Sequence, residues 1–188
     1  MPGKDEPKNK VRRSDREVTD KTWIRAYLYD APFGFLATSI DGQPFMNSNL
    51  FVYDEEQAAI YMHTARNGRI RSNVESGTPV CFSIAEMGRL LPANEALEFS
   101  VEYIGVMVFG QGEVVEDRQE AEKALQMLLD KYFTHLRPGP DYRPITPDEL
   151  KRTSVYRISI ERPSAKRKAV EADFPGAFVY RNFPSAGE

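Results

Sequence analysis

Two runs of β-forming, largely apolar residues, Phe33 to Ile40 and Pro44 to Tyr53, are separated only by Asp41-Gly42 and Gln43. A turn that short requires central residues that tolerate positive φ, and Asp-Gly is one of the few pairs that do. The pattern predicts a tight antiparallel hairpin. Asp54-Glu55-Glu56-Gln57 marks a second turn before another strand, Ala58 to Thr64, so the chain is already committed to an antiparallel meander.

The remaining segments extend that plan. Thr19 or Asp20 can cap a short helix through Trp23, Ile24, Tyr27 and Leu28 that Pro32 closes. Arg66 to Glu75 carries Ile70 and Val74 four apart, a short helix ended by Gly77 and Pro79. Val80 to Ala85 reads as a buried strand, Glu86 to Glu98 as a loop, and Val101 to Val115 as one long strand bent at Gly110 and Gly112. Asp117, with Glu120 three residues on, opens the clearest helix, whose stripe is Ala121, Leu125, Leu128 and Tyr132. A Pro-rich loop, a turn of helix at Pro147 to Lys151 and a strand from Val155 to Glu161 complete the pattern. Six strands with flanking helices predict a mainly β fold, and a small barrel is the natural way to remove sheet edges.

Composition narrows the function classes. A chain of 188 residues fits one domain, and at that size about 70% of its extended surface can be buried. Its 25 basic and 28 acidic residues leave a net charge of -3 with no basic block, which speaks against a nucleic-acid binder. A single cysteine, Cys81, cannot form an internal disulfide, and two histidines, His63 and His135, are too few for an ordinary Cys/His zinc site. Neither a membrane span nor the apolar core of a signal peptide is visible, so a soluble, cytoplasmic protein is expected. Residues 1–17 read as a disordered arm and 18–163 as the domain. Residues 164–188 read as an irregular extension whose Phe174, Phe178, Tyr180 and Phe183 pack on the body or on a partner subunit.

Cys81 lies in an apolar strand and reads as core. The run from Tyr61 to Asn73, Tyr-Met-His-Thr-Ala-Arg-Asn-Gly-Arg-Ile-Arg-Ser-Asn, is the informative one. It sets a strand end, a glycine and Arg66, Arg69 and Arg71 around a helix start, a combination suited to a phosphate. On the residues alone the plainer reading is preferred, three arginines on a solvated helix face and His63 as a half-buried strand residue, with the phosphate reading left open beside it.

Taken in order, Phe35-Leu-Ala-Thr-Ser-Ile-Asp-Gly-Gln-Pro44, Ile60-Tyr-Met-His-Thr-Ala65, Gly68-Arg69, Val80-Cys-Phe82, and Ser100-x-x-Tyr103 leading to Gly110 and the Glu116-Asp117 helix resemble a known family. It is the pyridoxamine 5′-phosphate oxidase-like FMN-binding split barrels, with the nitroimidazole-reductase type as the nearest branch. The resemblance spans Trp23 to Ile160. It implies a six-stranded antiparallel split barrel that forms a homodimer, with FMN in clefts at the subunit interface. It also implies that Asn47 and Asn49 meet the flavin ring edge, and that His63, Thr64 and Ala65 border the ring and ribityl chain. Arg69, helped by Arg71 and Ser72, would hold the phosphate, and Tyr103 would come from the long strand near the interface. The family often carries two adjacent basic residues after the glycine, whereas here Ile70 follows Arg69. The residues with which true pyridoxamine phosphate oxidases grip their substrate phosphate have no counterpart.

The expected function is therefore an FMN-dependent oxidoreductase acting on a small molecule by hydride transfer at flavin N5, with His63 as the candidate proton donor. The alternatives are a protein of the same fold that carries flavin, haem or a deazaflavin without turnover, with His63 as an axial haem ligand in the second case, and a structural dimer with an empty cleft.

Overall fold

A computed structural model of the chain describes residues 9–180. Helix α1 (Lys21–Asp30) is capped by Asp20, whose side chain accepts from the backbone N–H groups of Thr22 and Trp23. Strands β1 (Gly34–Ile40) and β2 (Gln43–Asn49) form the expected hairpin, with Ile40 opposite Gln43 and positive φ at Asp41 (51°) and Gly42 (77°). Next come β3 (Val52–Asp54), β4 (Ala59–Ala65) and helix α2 (Arg69–Glu75). A long hairpin of β5 (Val80–Leu91) and β6 (Ser100–Gly110) leads into β7 (Gly112–Val114). Helices α3 (Arg118–Tyr132) and α4 (Pro147–Arg152) precede β8 (Thr153–Ser159), β9 (Arg162–Lys168) and β10 (Phe178–Val179).

All six segments expected as strands are β. Two of them divide at corners and two strands are added, so ten strands build two antiparallel sheets among the described residues. One runs β2-β1-β5-β6-β9 with β10 on β5, and the other runs β3-β4-β8-β7. Four connections pass between them: three short corners, at residues 50–51, at Gln111 and at residues 160–161, and the longer passage from β4 through α2 to β5. Across the second corner, the Ser159 N–H donates to the Gln111 carbonyl at 3.0 Å and the Glu161 N–H to that of Phe109 at 3.2 Å. The corner needs glycine at 110, because a Cβ there would stand 1.8 Å from the Ser159 carbonyl oxygen. The result is a split barrel, since the ladders of the two sheets do not join into one closed cylinder.

Between the sheets lie Leu36, Phe51, Ile60, Met62, Phe82, Ile84, Val106, Val108, Tyr156 and Ile158, all essentially without exposure. Each such side chain contributes about 1.5–3 kcal/mol of burial. Strand alternation sends Ala59 and Tyr61 to the opposite face of β4, where Ala121, Ala124 and Leu128 of α3 cover them. The α3 stripe is thus the outer wall of the smaller sheet. Burial pushes the Tyr61 phenol up to about 12, helped by its 2.7 Å hydrogen bond to Glu120.

Several expectations are corrected. The segment expected as a loop from Glu86 continues β5 to Leu91, because backbone pairing with β6 carries it past an irregularity between Met87 and Leu90. The tail expected to be irregular from Ala165 is strand β9 up to Lys168, so ordered sheet crosses the boundary placed at 163. The N-terminal arm is also ordered where it is described. Val11 is buried, Ser14–Arg16 form a 3-10 turn, and the Val18 N–H donates to the Ala165 carbonyl on the edge strand β9. Residues 1–8 and Phe183 lie outside the described residues. Phe178 and Tyr180 are about half exposed. Among the described residues, no helix is long and apolar enough to cross a membrane.

Candidate functional site

The end of β4 distributes three expected site residues between two faces. His63 shares the α3 face with Tyr61 and opens into a cavity of about 520 Å³ walled by Leu50, the C-terminal half of α3, and Tyr142, Arg143 and Glu149 of the following segment. Partial burial there lowers its pKa below the usual 6.5. Thr64 points the other way, its hydroxyl 2.8 Å from that of Tyr156 and also donating to the Ala65 carbonyl. Ala65 closes the ladder opposite Thr153 and is exposed.

Asn47 and Asn49 lie on β2, which is the edge of the larger sheet. The Asn49 side-chain nitrogen is buried and has no hydrogen-bond partner among the described residues. A buried, unmade hydrogen bond of this kind costs about 1–3 kcal/mol, so it marks a position where an acceptor belongs. Arg69 opens α2 and lays its guanidinium 5.2 Å from the centre of the Phe45 ring on the same strand. Among the described residues, Arg69 enters no ion pair. Ser72, one turn further on, is exposed.

Arg71 is placed differently. Its guanidinium donates to Glu75 at 2.8 Å, to Glu116 at 3.2 Å and to the buried Ser154 hydroxyl at 3.0 Å. Residues two apart on a helix do not share a face, and here Arg69 faces β2 while Arg71 faces β8. Tyr103 stands apart from the others, near the turn of the β5–β6 hairpin, opposite Met87 and Lys168, with its hydroxyl accepting from Arg16 at 3.3 Å.

Sequence reasoning missed Tyr156, Ser154 and the wall formed by Tyr142, Arg143 and Glu149. The last had a readable signal, since Thr146-Pro-Asp-Glu149 is a capping box and both of its hydrogen bonds form. Arg143 grips Glu149 through both carboxylate oxygens, and together with the Thr146 N–H it pushes that carboxyl down to about 2.

Among the described residues, the arrangement offers an unpaired cation beside an aromatic ring, an unsatisfied amide on an open sheet edge, and at the mouth of an apolar cavity an imidazole whose charged form burial disfavours. Together these suit a planar, phosphate-bearing cofactor better than a metal or a covalent intermediate. The flavocytochrome Anf3 from Azotobacter vinelandii is similar in fold, with a TM-score of 0.76 at 20% identity, covering 97% of this chain and 89% of that one. The FAD and haem binding protein from Mycobacterium smegmatis gives 0.70 at 21% identity, covering 81% and 73%. A candidate 5-nitroimidazole antibiotic resistance protein from Bacteroides thetaiotaomicron gives 0.65 at 18% identity, covering 80% and 86%. No curated protein matches the chain in sequence. The family model described as pyridoxamine 5′-phosphate oxidase matches residues 20–167, a stretch that holds α1 and every strand except β10 and the last residue of β9. The chain belongs to the pyridoxamine 5′-phosphate oxidase family.

Proposed function

We propose that the chain binds FMN along β2 and the end of β4 and acts as an FMN-dependent oxidoreductase on a small molecule. The observation that carries this reading is the buried, partnerless amide of Asn49 on the open edge of β2. Family membership and the flavin-binding names of two of its structural relatives support it.

In this reading Asn49, with Asn47 two residues earlier on the same face of β2, meets the polar edge of the ring. Thr64 and Ala65 border the ribityl chain, and Arg69 with Ser72, which lie on one face of α2, hold the phosphate. Arg71 serves as a brace between α2, Glu116 and Ser154 rather than as a direct phosphate ligand. Bound flavin supplies hydride exchange at its N5 atom. Partial burial lowers the pKa of His63 and so favours its neutral imidazole. It holds a hydrogen bond to a small molecule in the cavity and can pass a proton to it as pH falls.

A homodimer belongs to the same reading. The outer face of the larger sheet carries Phe35, Met46 and Met107 in the open, at 38%, 65% and 42% exposure, with Ala37, Cys81 and Phe109 beside them in the registered rows. A contiguous apolar face of this kind needs a partner, and a second copy would bring Tyr103 towards a site that its own chain does not reach. The test is the identity of the chromophore that a denaturing chromatography run releases from purified protein, with sedimentation to give the mass. FMN at near one per chain and a dimer mass are expected. A colourless or monomeric protein that gains no flavin on incubation overturns the reading.

A second reading is favoured by the cavity itself. Its leucines, Tyr132 and Phe133 are the lining a haem requires, and a neutral His63 is the form that ligates iron. One of the similar structures is named as a FAD and haem binding protein and another as a flavocytochrome. A Soret band in the purified protein that vanishes in His63→Ala would establish it, and a flavin-only spectrum after haem is supplied would dismiss it.

A further inference from the structure

The cavity of about 520 Å³ at His63 carries charge in one place. Apart from the imidazole, the charged side chains among the described residues that line it are Arg143 and Glu149, and they are bound to each other. The guanidinium donates to both carboxylate oxygens, at 2.8 and 3.0 Å, and the same carboxylate accepts from the Thr146 N–H at 2.9 Å and its hydroxyl at 3.0 Å. Those donors keep Glu149 ionised, so its charge is cancelled by Arg143 and not by a proton.

The other polar groups in the wall are committed as well. The Tyr132 hydroxyl is held between Phe51 and Pro32, the Tyr142 hydroxyl accepts from Gln126 at 2.9 Å, and the Thr153 hydroxyl donates to the Glu149 carbonyl at 2.9 Å. His63 is the exception, since among the described residues it enters no hydrogen bond or ion pair. The rest of the lining is hydrocarbon, chiefly Leu125, Leu128, Leu129 and Phe133. The Pro-rich stretch that supplies Tyr142 and Arg143 is itself pinned, with the Gly139 N–H on the Tyr142 carbonyl at 2.7 Å and the Arg137 N–H on the Asp141 carboxylate at 2.8 Å. This wall is therefore set before any ligand arrives.

We propose that the Arg143–Glu149 pair is the specificity determinant of the cavity, which takes an uncharged, largely apolar molecule and rejects the carboxylate or ammonium form of the same skeleton. An ion that enters apolar walls loses hydration and needs a partner to offset that loss. Either member of the pair could be such a partner alone, but each is spent on the other. The volume lies within the ~300–1,000 Å³ of small-molecule sites, and His63 is left to meet one polar group of the ligand. The inference rests on the reading above in which this cavity holds the small-molecule substrate.

The test uses the full chain as purified and three probes that share a naphthalene skeleton: 2-acetonaphthone, 2-naphthoate and 2-naphthylmethylammonium, each titrated by calorimetry at pH 7. Wild type is expected to bind the ketone at least tenfold more tightly than either ion. Glu149→Gln frees Arg143, while glutamine still serves at the third position of a capping box. It should tighten naphthoate at least fivefold and leave the ketone within twofold. Arg143→Gln frees Glu149 and should tighten the ammonium probe by the same factor. Both gains should shrink with added salt, because the Arg143 and Glu149 side chains are 65% and 48% exposed. A wild type that binds an ion as well as the ketone, or folded variants that leave the ion affinities unchanged, overturns the proposal. A His63-dependent Soret band with added haemin that expels the ketone also overturns it, by giving the cavity to haem. Flavin content is scored separately, so selectivity for the ketone in a wild type that holds no flavin upholds the cavity assignment and sinks the oxidoreductase reading alone.

Discussion

Replacing Arg69 and Arg71 separately by alanine distinguishes the two sides of α2. Among the described residues, Arg69 makes one cation–π contact at 5.2 Å with the half-buried Phe45 and no ion pair, an interaction of about 0.5–1 kcal/mol. Its loss should lower the melting temperature by no more than about 2–4 °C in a chain of this size. If Arg69 holds the cofactor phosphate, the same change removes a charge-assisted hydrogen bond of about 1.5–3 kcal/mol, which raises the FMN dissociation constant about 10- to 150-fold. Arg71→Ala should behave in the opposite way. That side chain is only 17% exposed and joins α2 to Glu116 and Ser154, so its loss should destabilise the fold more than Arg69→Ala while changing FMN affinity less. Thermal melts paired with fluorescence titration of FMN measure both quantities. Unchanged affinity in Arg69→Ala together with loss of binding in a folded Arg71→Ala would refute the assignment of the two faces.

Further outcomes follow from the same contacts. Gly110→Ala places a methyl group against the Ser159 carbonyl and should cost about 1–3 kcal/mol or more; an unchanged urea midpoint would show that the corner is not tight. Lys131 donates to the Ala31 carbonyl and lies 4.1 Å over the Phe51 ring, and burial drops its pKa from 10.5 to about 8. Between those values the unfolded chain holds more protons than the folded one, so this group makes stability rise as pH climbs from about 8 towards 10.5. A Lys131→Met protein should lose that rise, and an identical profile in both proteins would discount the lysine. Glu102 accepts from Arg89 and from the Val170 N–H and is held down to about 2. Its stabilising effect is present above 4.5 and fades as pH falls towards 2, so Glu102→Gln should flatten that acid limb and speed proteolysis after residue 168; equal cleavage rates would argue that Arg89 alone pins the segment.

The hairpin at Asp41-Gly42, the Asp20 and Asp117 caps and the α3 stripe were legible because each depends on neighbours in sequence, on φ preference or on a helical period. The β4 end stood out as a candidate site because a histidine, a glycine and arginines fall within a few residues of one another. Strand β9 was not legible, since Arg-Pro-Ser-Ala-Lys-Arg-Lys buries only Ala165 and shows no apolar alternation. Its backbone is ordered by pairing with β6 on one side and by the N-terminal segment on the other.

What the sequence determined by itself was the antiparallel, mainly β class and the candidates at the end of β4, because local turn chemistry and residue alternation act over a few positions. Tertiary structure alone decided that Val101 to Val115 divides between two sheets at Gln111, that Arg69 and Arg71 serve opposite sides of α2, and that His63 faces a cavity built by α3 and residues 142–149. Those outcomes depend on groups far apart in the chain, which meet only when burial between the sheets and against α3 brings them together.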